Sequence, residues 1–133
     1  MRLIPDNTWA ILTIYQEAES EPFDGKVAVA EVILRRTMLK YFSDGSVAST
    51  CLWPHQFSGW NTISGNRLRS AKLDDQEPIV QECEAAWTEA QNGSNSTKDA
   101  LHYLNRAWVE YLPTWASADK FVIRIGHHDF YVS

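Results

Sequence analysis

The sequence predicts an α+β domain, mainly helical, with a short β element near its C-terminal end. Three observations carry that prediction. Apolar residues recur at helical spacing through residues 8–41 and again through 75–91. Short extended segments, bounded by turn residues, cluster after residue 99. The chain has 133 residues, 44% of them hydrophobic, which suits a single domain with a real core. No repeat, linker or low-complexity tract divides residues 1–133.

The first helix is expected over residues 8–20. Asp6, Asn7 or Thr8 can cap it, and Trp9, Leu12, Tyr15 and Ala18 form its apolar stripe before Pro22 ends it. The second is expected over 25–41, with Val27, Ala30, Ile33 and Leu34 inward and Val29 and Val32 widening that face. Residues 43–72 read as irregular, with Asp44-Gly45 as a turn signal. The third helix is expected over 75–91. Pro78 falls in its first turn, where a missing N–H costs little, and Asn92-Gly93 stops it. Residues 100–104 and 121–125 read as strands, and Gly126 turns the chain so that 129–132 pairs back as a hairpin.

The formal net charge of −5 argues against a nucleic-acid partner, which needs clustered Lys and Arg. Arg35, Arg36 and Lys40, and later Arg67, Arg69 and Lys72, read as solvated faces, with local contact to an anionic wall polymer as the alternative. The start of the chain, Met1-Arg2-Leu3-Ile4-Pro5-Asp6, lacks the apolar stretch of a signal peptide, and no segment approaches a membrane span. Cys51 and Cys83 lie too far apart for a zinc ribbon or redox pair and read as buried free thiols, with a disulfide left open.

Six Trp and five Tyr are many for this length; most serve as core fillers, and such rings also form the walls of carbohydrate grooves. The chemistry concentrates at Glu17, Glu19 and Glu21, at the end of the first helix and before a Pro-x-x-Gly break. A carboxyl held against apolar surface resists ionisation and can act as a general acid near neutral pH. The C-terminal end of a helix adds to that resistance. Glu21, four residues beyond Glu17, shares its face if the helix persists, and could tune Glu17 or tether the second helix. Glu19 points about 200° away from Glu17 and reads as solvated. Glu31 lies amid apolar neighbours and is either exposed or paired, exposure being slightly favoured. Asp44, Asp74, Asp75, Asp99, Asp119 and Asp129 have ordinary turn or cap explanations.

The run Tyr15-x-Glu17-Ala18-x-x-Glu21-Pro22-x-x-Gly25-x-x-Ala28-Val29-Ala30-x-Val32-Ile33-Leu34-x-Arg36 resembles the opening of the cell-wall hydrolases related to the spore-cortex-lytic enzymes (SleB/CwlJ type). Gln56-Phe57-Ser58-x-Trp60, Pro113-x-Trp115-Ala116 and Ile125-Gly126-x-His128-x-Phe130-Tyr131 resemble its middle and end. Glu19 and Ser20 depart from the family's usual Glu-Ala-Arg-Gly-Glu run.

The resemblance implies a lysozyme-like fold and a peptidoglycan glycosidase with Glu17 in the catalytic position and Glu21 beside it. The bond at stake is the β-1,4 linkage between N-acetylmuramic acid and N-acetylglucosamine. A lytic transglycosylase manages with one glutamate, whereas a hydrolytic muramidase or glucosaminidase uses two carboxyls. Gln56, Phe57, Ser58 and Trp60 would face the groove on a loop, with Tyr103, Asn105 and His128 beside it and Trp115 structural. No cofactor is required in this reading. The expected partner is the glycan strand, bound by a monomer without nucleic acid or membrane insertion. The expected setting is a phage endolysin, made in the host cytoplasm, released through a holin pore and acting on the wall.

Two rivals stand beside it. His55, His102, His127 and His128 could serve a zinc amidase, but there is no His-Glu-x-x-His, and adjacent His127 and His128 would point to opposite sheet faces. A non-catalytic wall-binding module would use the aromatics alone and be indifferent to Glu17.

Overall fold

The computed structural model describes residues 6–53, 56–57, 60 and 73–133. Helices α1 (Asp6–Ala18), α2 (Phe23–Met38), α3 (Val47–Leu52) and α4 (Pro78–Gln91) precede strands β1 (His102–Asn105), β2 (Phe121–Ile125) and β3 (His128–Tyr131). The strands form one antiparallel sheet in the order β1-β3-β2.

Helix α2 is the centre of the fold. Every residue from Gly25 to Ile33 is buried, so this helix has no solvent face over that stretch. Val29, Ala30 and Ile33 pack with Ile14 and Tyr15 of α1 and Cys83 and Trp87 of α4. Ala28 and Val32, on the opposite side, pack against Phe130, with Tyr103, Ile123 and Ile125 at the margin of that cluster. The expected single inner face is therefore two faces, one for helices and one for the sheet. The outer face of the sheet is covered by the chain's own return: Leu104 and Tyr131 pack with Ala116, Val109 and Trp115.

Register assigns the residues of β1 to these faces. Tyr103 pairs with Phe130 and Asn105 with His128, while His102 pairs with Tyr131 and Leu104 with Asp129. Side chains alternate across a strand, so Tyr103 points toward the helices and Leu104 away from them. Gly126, at φ +58°, makes the tight β2–β3 connection.

Three sequence expectations are corrected. Residues 43–53 are not wholly irregular. Ser46 caps α3 by accepting the Ser49 N–H at 3.1 Å, and the Thr50 hydroxyl lies 2.9 Å from that of Thr37. Six residues are too few for periodicity to reveal. Glu31 is 2% exposed, not solvated. Its oxygens accept from the hydroxyls of Ser94 (2.8 Å), Ser96 (2.9 Å) and Thr97 (2.7 Å) and from the N–H groups of Ser96 (3.0 Å) and Thr97 (2.9 Å). Burial alone would raise its pKa; these bonds outweigh it and hold the carboxyl below its usual value. Arg35 and Arg36 are not solvated either. Arg35 donates to Ala100 O and, at 2.8 Å, to Asn95 Oδ1, and Arg36 Nε donates to Leu101 O at 2.8 Å. Both clamp the C-terminal half of α2 to the segment entering β1. Cys51 and Cys83 are free and buried, their thiols each pushed up to about 12, above all by burial.

Candidate active site

Glu17 is the penultimate residue of α1. The helix stops there because Glu21 N–H closes back on Ala18 O at 3.0 Å and Pro22 follows. Burial raises the pKa of Glu17, against the lowering effects of a Tyr103 hydrogen bond and the Arg36 charge. Tyr103 Oη donates to Glu17 Oε1 at 2.6 Å. Burial, followed by the charge of Glu17, keeps the Tyr103 phenol well above its usual pKa, so it stays a neutral donor.

Glu21 lies beyond the end of α1, so it does not share a helical face with Glu17 as a persistent helix would require. Its carboxylate is buried and turned to the β2–β3 connection. Oε1 accepts the His127 N–H at 2.9 Å, and Oε2 lies 3.0 Å from His127 Nδ1. His128 Nδ1 is 3.3 Å from Oε1. Both imidazoles reach one carboxylate because His127 belongs to the turn and only His128 to the strand, which corrects the expected opposite facing. Gly126 is required at this corner. A Cβ there would stand 2.5 Å from Glu21 Oε2.

His128 is 3% exposed and packs edge-on against Tyr103, with ring centroids 5.0 Å apart. Burial pushes its pKa down, with Glu21 pulling the other way. The sequence of contacts runs Glu21, His128, Tyr103, Glu17.

A cleft of about 340 Å³ opens beside Tyr103 and is lined also by Arg36, Tyr41, Gln56, His102 and Trp115. Gln56 reaches it, its Nε2 donating to Tyr41 O at 3.1 Å. Phe57 does not: it is 2% exposed and sits beneath the Arg36 guanidinium, 5.2 Å from ring centre to Cζ. Trp60 packs edge-on to Trp9 at 5.3 Å and donates Nε1–H to Thr13 Oγ1 at 2.8 Å, one helical turn before Glu17. Asn105 uses its Oδ1 to accept the Ala107 N–H at 3.0 Å, capping the short 3-10 helix Arg106–Trp108. Trp115 stacks on His102 at 5.0 Å and so forms a wall of the cleft. Ser58 and His55 lie outside the described residues.

Sequence reasoning placed neither Arg36 nor His127 in the glutamate site: Arg36 reads with its basic neighbours, and His127 only as a possible zinc ligand. The buried apolar residues that precede Arg36 in α2 were a faint signal that it is enclosed; nothing in the sequence ties His127 to Glu21. Asp129 is more than a turn residue, since Arg106 Nη1 (3.0 Å) and Arg124 Nε (2.7 Å) both pair with its Oδ1.

A small sheet packed on a helical layer, with a partly buried glutamic acid at a helix end beside their junction, places the chain among the lysozyme-like α+β domains. The profile of the cell wall hydrolase family matches residues 20–131, and the chain belongs to that family. Glu17 stands just ahead of the matched stretch. The chain is 29% identical over 117 residues to the spore cortex-lytic enzyme of Bacillus subtilis, covering 88% of this chain but only 34% of that protein. It is also similar to the catalytic domain of the germination-specific lytic transglycosylase SleB from Bacillus anthracis, with a TM-score of 0.73 and 26% identity over 95% of this chain and 93% of that one. The catalytic domain of Bacillus cereus SleB gives a TM-score of 0.74 and 26% identity, over 95% and 88% of the two chains.

Proposed function

We propose that this cell wall hydrolase cleaves the β-1,4 bond between N-acetylmuramic acid and N-acetylglucosamine as a lytic transglycosylase, with Glu17 as its general acid. The observation that carries the reading is the Glu17 carboxyl itself, its pKa raised by burial and its Oε1 gripped by the Tyr103 phenol. The proton passes from Glu17 to the glycosidic oxygen as the C1–O bond breaks, leaving an oxocarbenium-like centre. The 6-hydroxyl of the same muramyl ring then attacks C1 and returns its proton to the Glu17 carboxylate. The product ends in a 1,6-anhydro ring, and the acid is restored.

In this scheme Tyr103 holds one carboxyl oxygen so that the other faces the leaving group. Arg36 stabilises the carboxylate formed in mid-reaction. Glu21 and His128 are positioning residues that fix Tyr103. Gln56 holds a sugar substituent in the cleft, while Trp60 supports α1 through Thr13 and Asn105 shapes the end of β1. One carboxyl suffices, and the others favour that economy. Buried Glu21, Glu31 and Asp129 are each held by several donors or cations. The segments outside the described residues contain no Asp or Glu from which a second could come.

Mass spectrometry of fragments from purified peptidoglycan tests this reading. Wild type should release disaccharide-peptides with 1,6-anhydro ends, and Glu17→Gln none. Reducing ends would mean hydrolysis by a muramidase or glucosaminidase. Freed stem peptides with intact glycan would mean an amidase. The biological setting proposed is a phage endolysin. Among the described residues no helix is long and apolar enough to cross a membrane. If that setting holds, expression in a susceptible host gives lysis only when a holin is co-expressed.

A further inference from the structure

We infer that the cleft beside Glu17 is an anion subsite in which Arg36 receives a carboxylate carried on the O3 substituent of the muramyl ring. The inference rests on the glycosidase reading above and adds what selects the ring. Arg36 lines the cleft, yet its side chain is almost wholly enclosed, at 7% exposure. Among the described residues only its Nε has a protein acceptor, Leu101 O. Its Cζ lies over the faces of Tyr41 (5.5 Å) and Phe57 (5.2 Å), which offsets part of the charge without using the terminal nitrogens.

Among the described residues no carboxylate forms an ion pair with Arg36, although the chain has 17 acidic residues against 12 basic ones. The other enclosed cation is treated differently: Lys26 faces Glu82 at 3.4 Å. Glu17 acts on Arg36 electrostatically, but the two form no ion pair among the described residues, and burial of Glu17 disfavours its charged form. The cleft thus holds one uncompensated guanidinium, whose planar fork matches a carboxylate in shape and charge. Among the described residues no Asp or Glu lines the cleft itself; the nearest acid described is Glu17, behind Tyr103. His102, kept below its usual pKa chiefly by burial and then by the Arg36 charge, adds a hydrogen-bonding group without a second cation.

The two amino-sugar rings are neutral. Their carboxylates occur only on the muramyl substituent, as the bare lactyl acid or on the stem peptide attached to it. A cation at this place therefore distinguishes the muramyl ring from its neighbour. It fixes which of the two alternating bonds is presented to Glu17.

Titration calorimetry with the Glu17→Gln protein tests this without turnover. The probes are chitotetraose, an alternating glucosaminyl-muramyl tetrasaccharide with free lactyl acids, its methyl ester, and the same tetrasaccharide bearing stem peptides with free or amidated carboxylates. A free-acid probe should bind about tenfold or more tightly than its ester or amide, as expected for a charge-assisted pair. The pair that shows the difference, lactyl or peptide, identifies the source. Adding Arg36→Gln should abolish the difference while chitotetraose still binds, and Arg36→Lys should keep part of it. Ester or amide binding as tightly as both acids overturns the subsite, a comparison that needs no Arg36 variant to fold. Glycans that all bind alike sink the subsite and spare the glycosidase. Release of 1,6-anhydro products by Glu17→Gln, or no glycan binding at all, sinks both.

Discussion

Tyr103 reaches Glu17 across 86 positions of sequence and donates a 2.6 Å hydrogen bond to its Oε1. The contact joins the end of α1 to the edge strand of the sheet, with α2 packed against both. The acid is therefore in place only when the sheet has docked on the helical layer. Its environment is a tertiary product, not a property of the Glu17 neighbourhood in sequence.

Replacing Tyr103 by Phe removes the donor and keeps the ring. That hydrogen bond lowers the Glu17 pKa, so its loss lets the value rise further above the carboxylate range. Activity requires protonated Glu17 and is lost as pH rises through its pKa. The alkaline limb of the kcat/KM profile should move to higher pH, while kcat falls about 10–100-fold through lost orientation. A pH–rate series on the two proteins checks both effects.

Glu17→Gln should be inactive and more stable. The unionised carboxyl fits its site, so its stabilisation is complete below the usual value of 4.5 and is lost as pH rises through the raised folded value. Near neutrality the glutamine variant should gain on the order of 1 kcal/mol. The gain should shrink as pH falls toward 4.5, where the unfolded chain also carries a protonated Glu17 and ionisation no longer favours unfolding. Thermal melts across that range would show converging curves; parallel ones would contradict the burial of the acid.

Glu31 has the opposite sign. Its pKa is held below 4.5, so its stabilisation is present above that value and lost as pH falls through the folded one. Glu31→Ala leaves five donors from residues 94–97 without their acceptor and should cost about 3–5 kcal/mol. Denaturant midpoints at neutral and acid pH should differ for wild type and much less for a glutamine variant at this position.

Gly126→Ala should destabilise by about 2–4 kcal/mol, since the left-handed φ and the approach to Glu21 act together. The damage should extend to catalysis, because the same corner supports His128 and, through it, Tyr103. Activity of the folded fraction, corrected by circular dichroism, separates the two losses.

The main elements were legible because their signals are local. The Trp9 to Ala18 spacing, the Gly126 turn and the strand over Phe121–Ile125 appear where the residues predict, while the third long helix begins at Pro78, three residues later than expected. Glu17 was singled out by the family resemblance, and Tyr103 was read as an aromatic on a strand beside the site or in the core; the hydrogen bond that joins them was not foreseen. What escaped depends on contacts far along the chain. Glu31 finds its donors 63–66 positions away, and Arg36 finds Leu101 at a separation of 65. Helical periodicity sees a charge at such positions and assigns it to water. Phe57 was assigned to the groove with its family-like segment, a packed loop anchored by its ring being the alternative; it is buried and supports Arg36 from below.

The two cysteines lend the molecule an internal clock. Each thiol lies in the packed interior formed by the helices, shielded from solvent and held in its unreactive protonated form. A thiol reagent can reach them only when that interior opens. Its rate of uptake therefore counts opening events, while the folded enzyme keeps its covalent structure in oxidising and reducing surroundings alike.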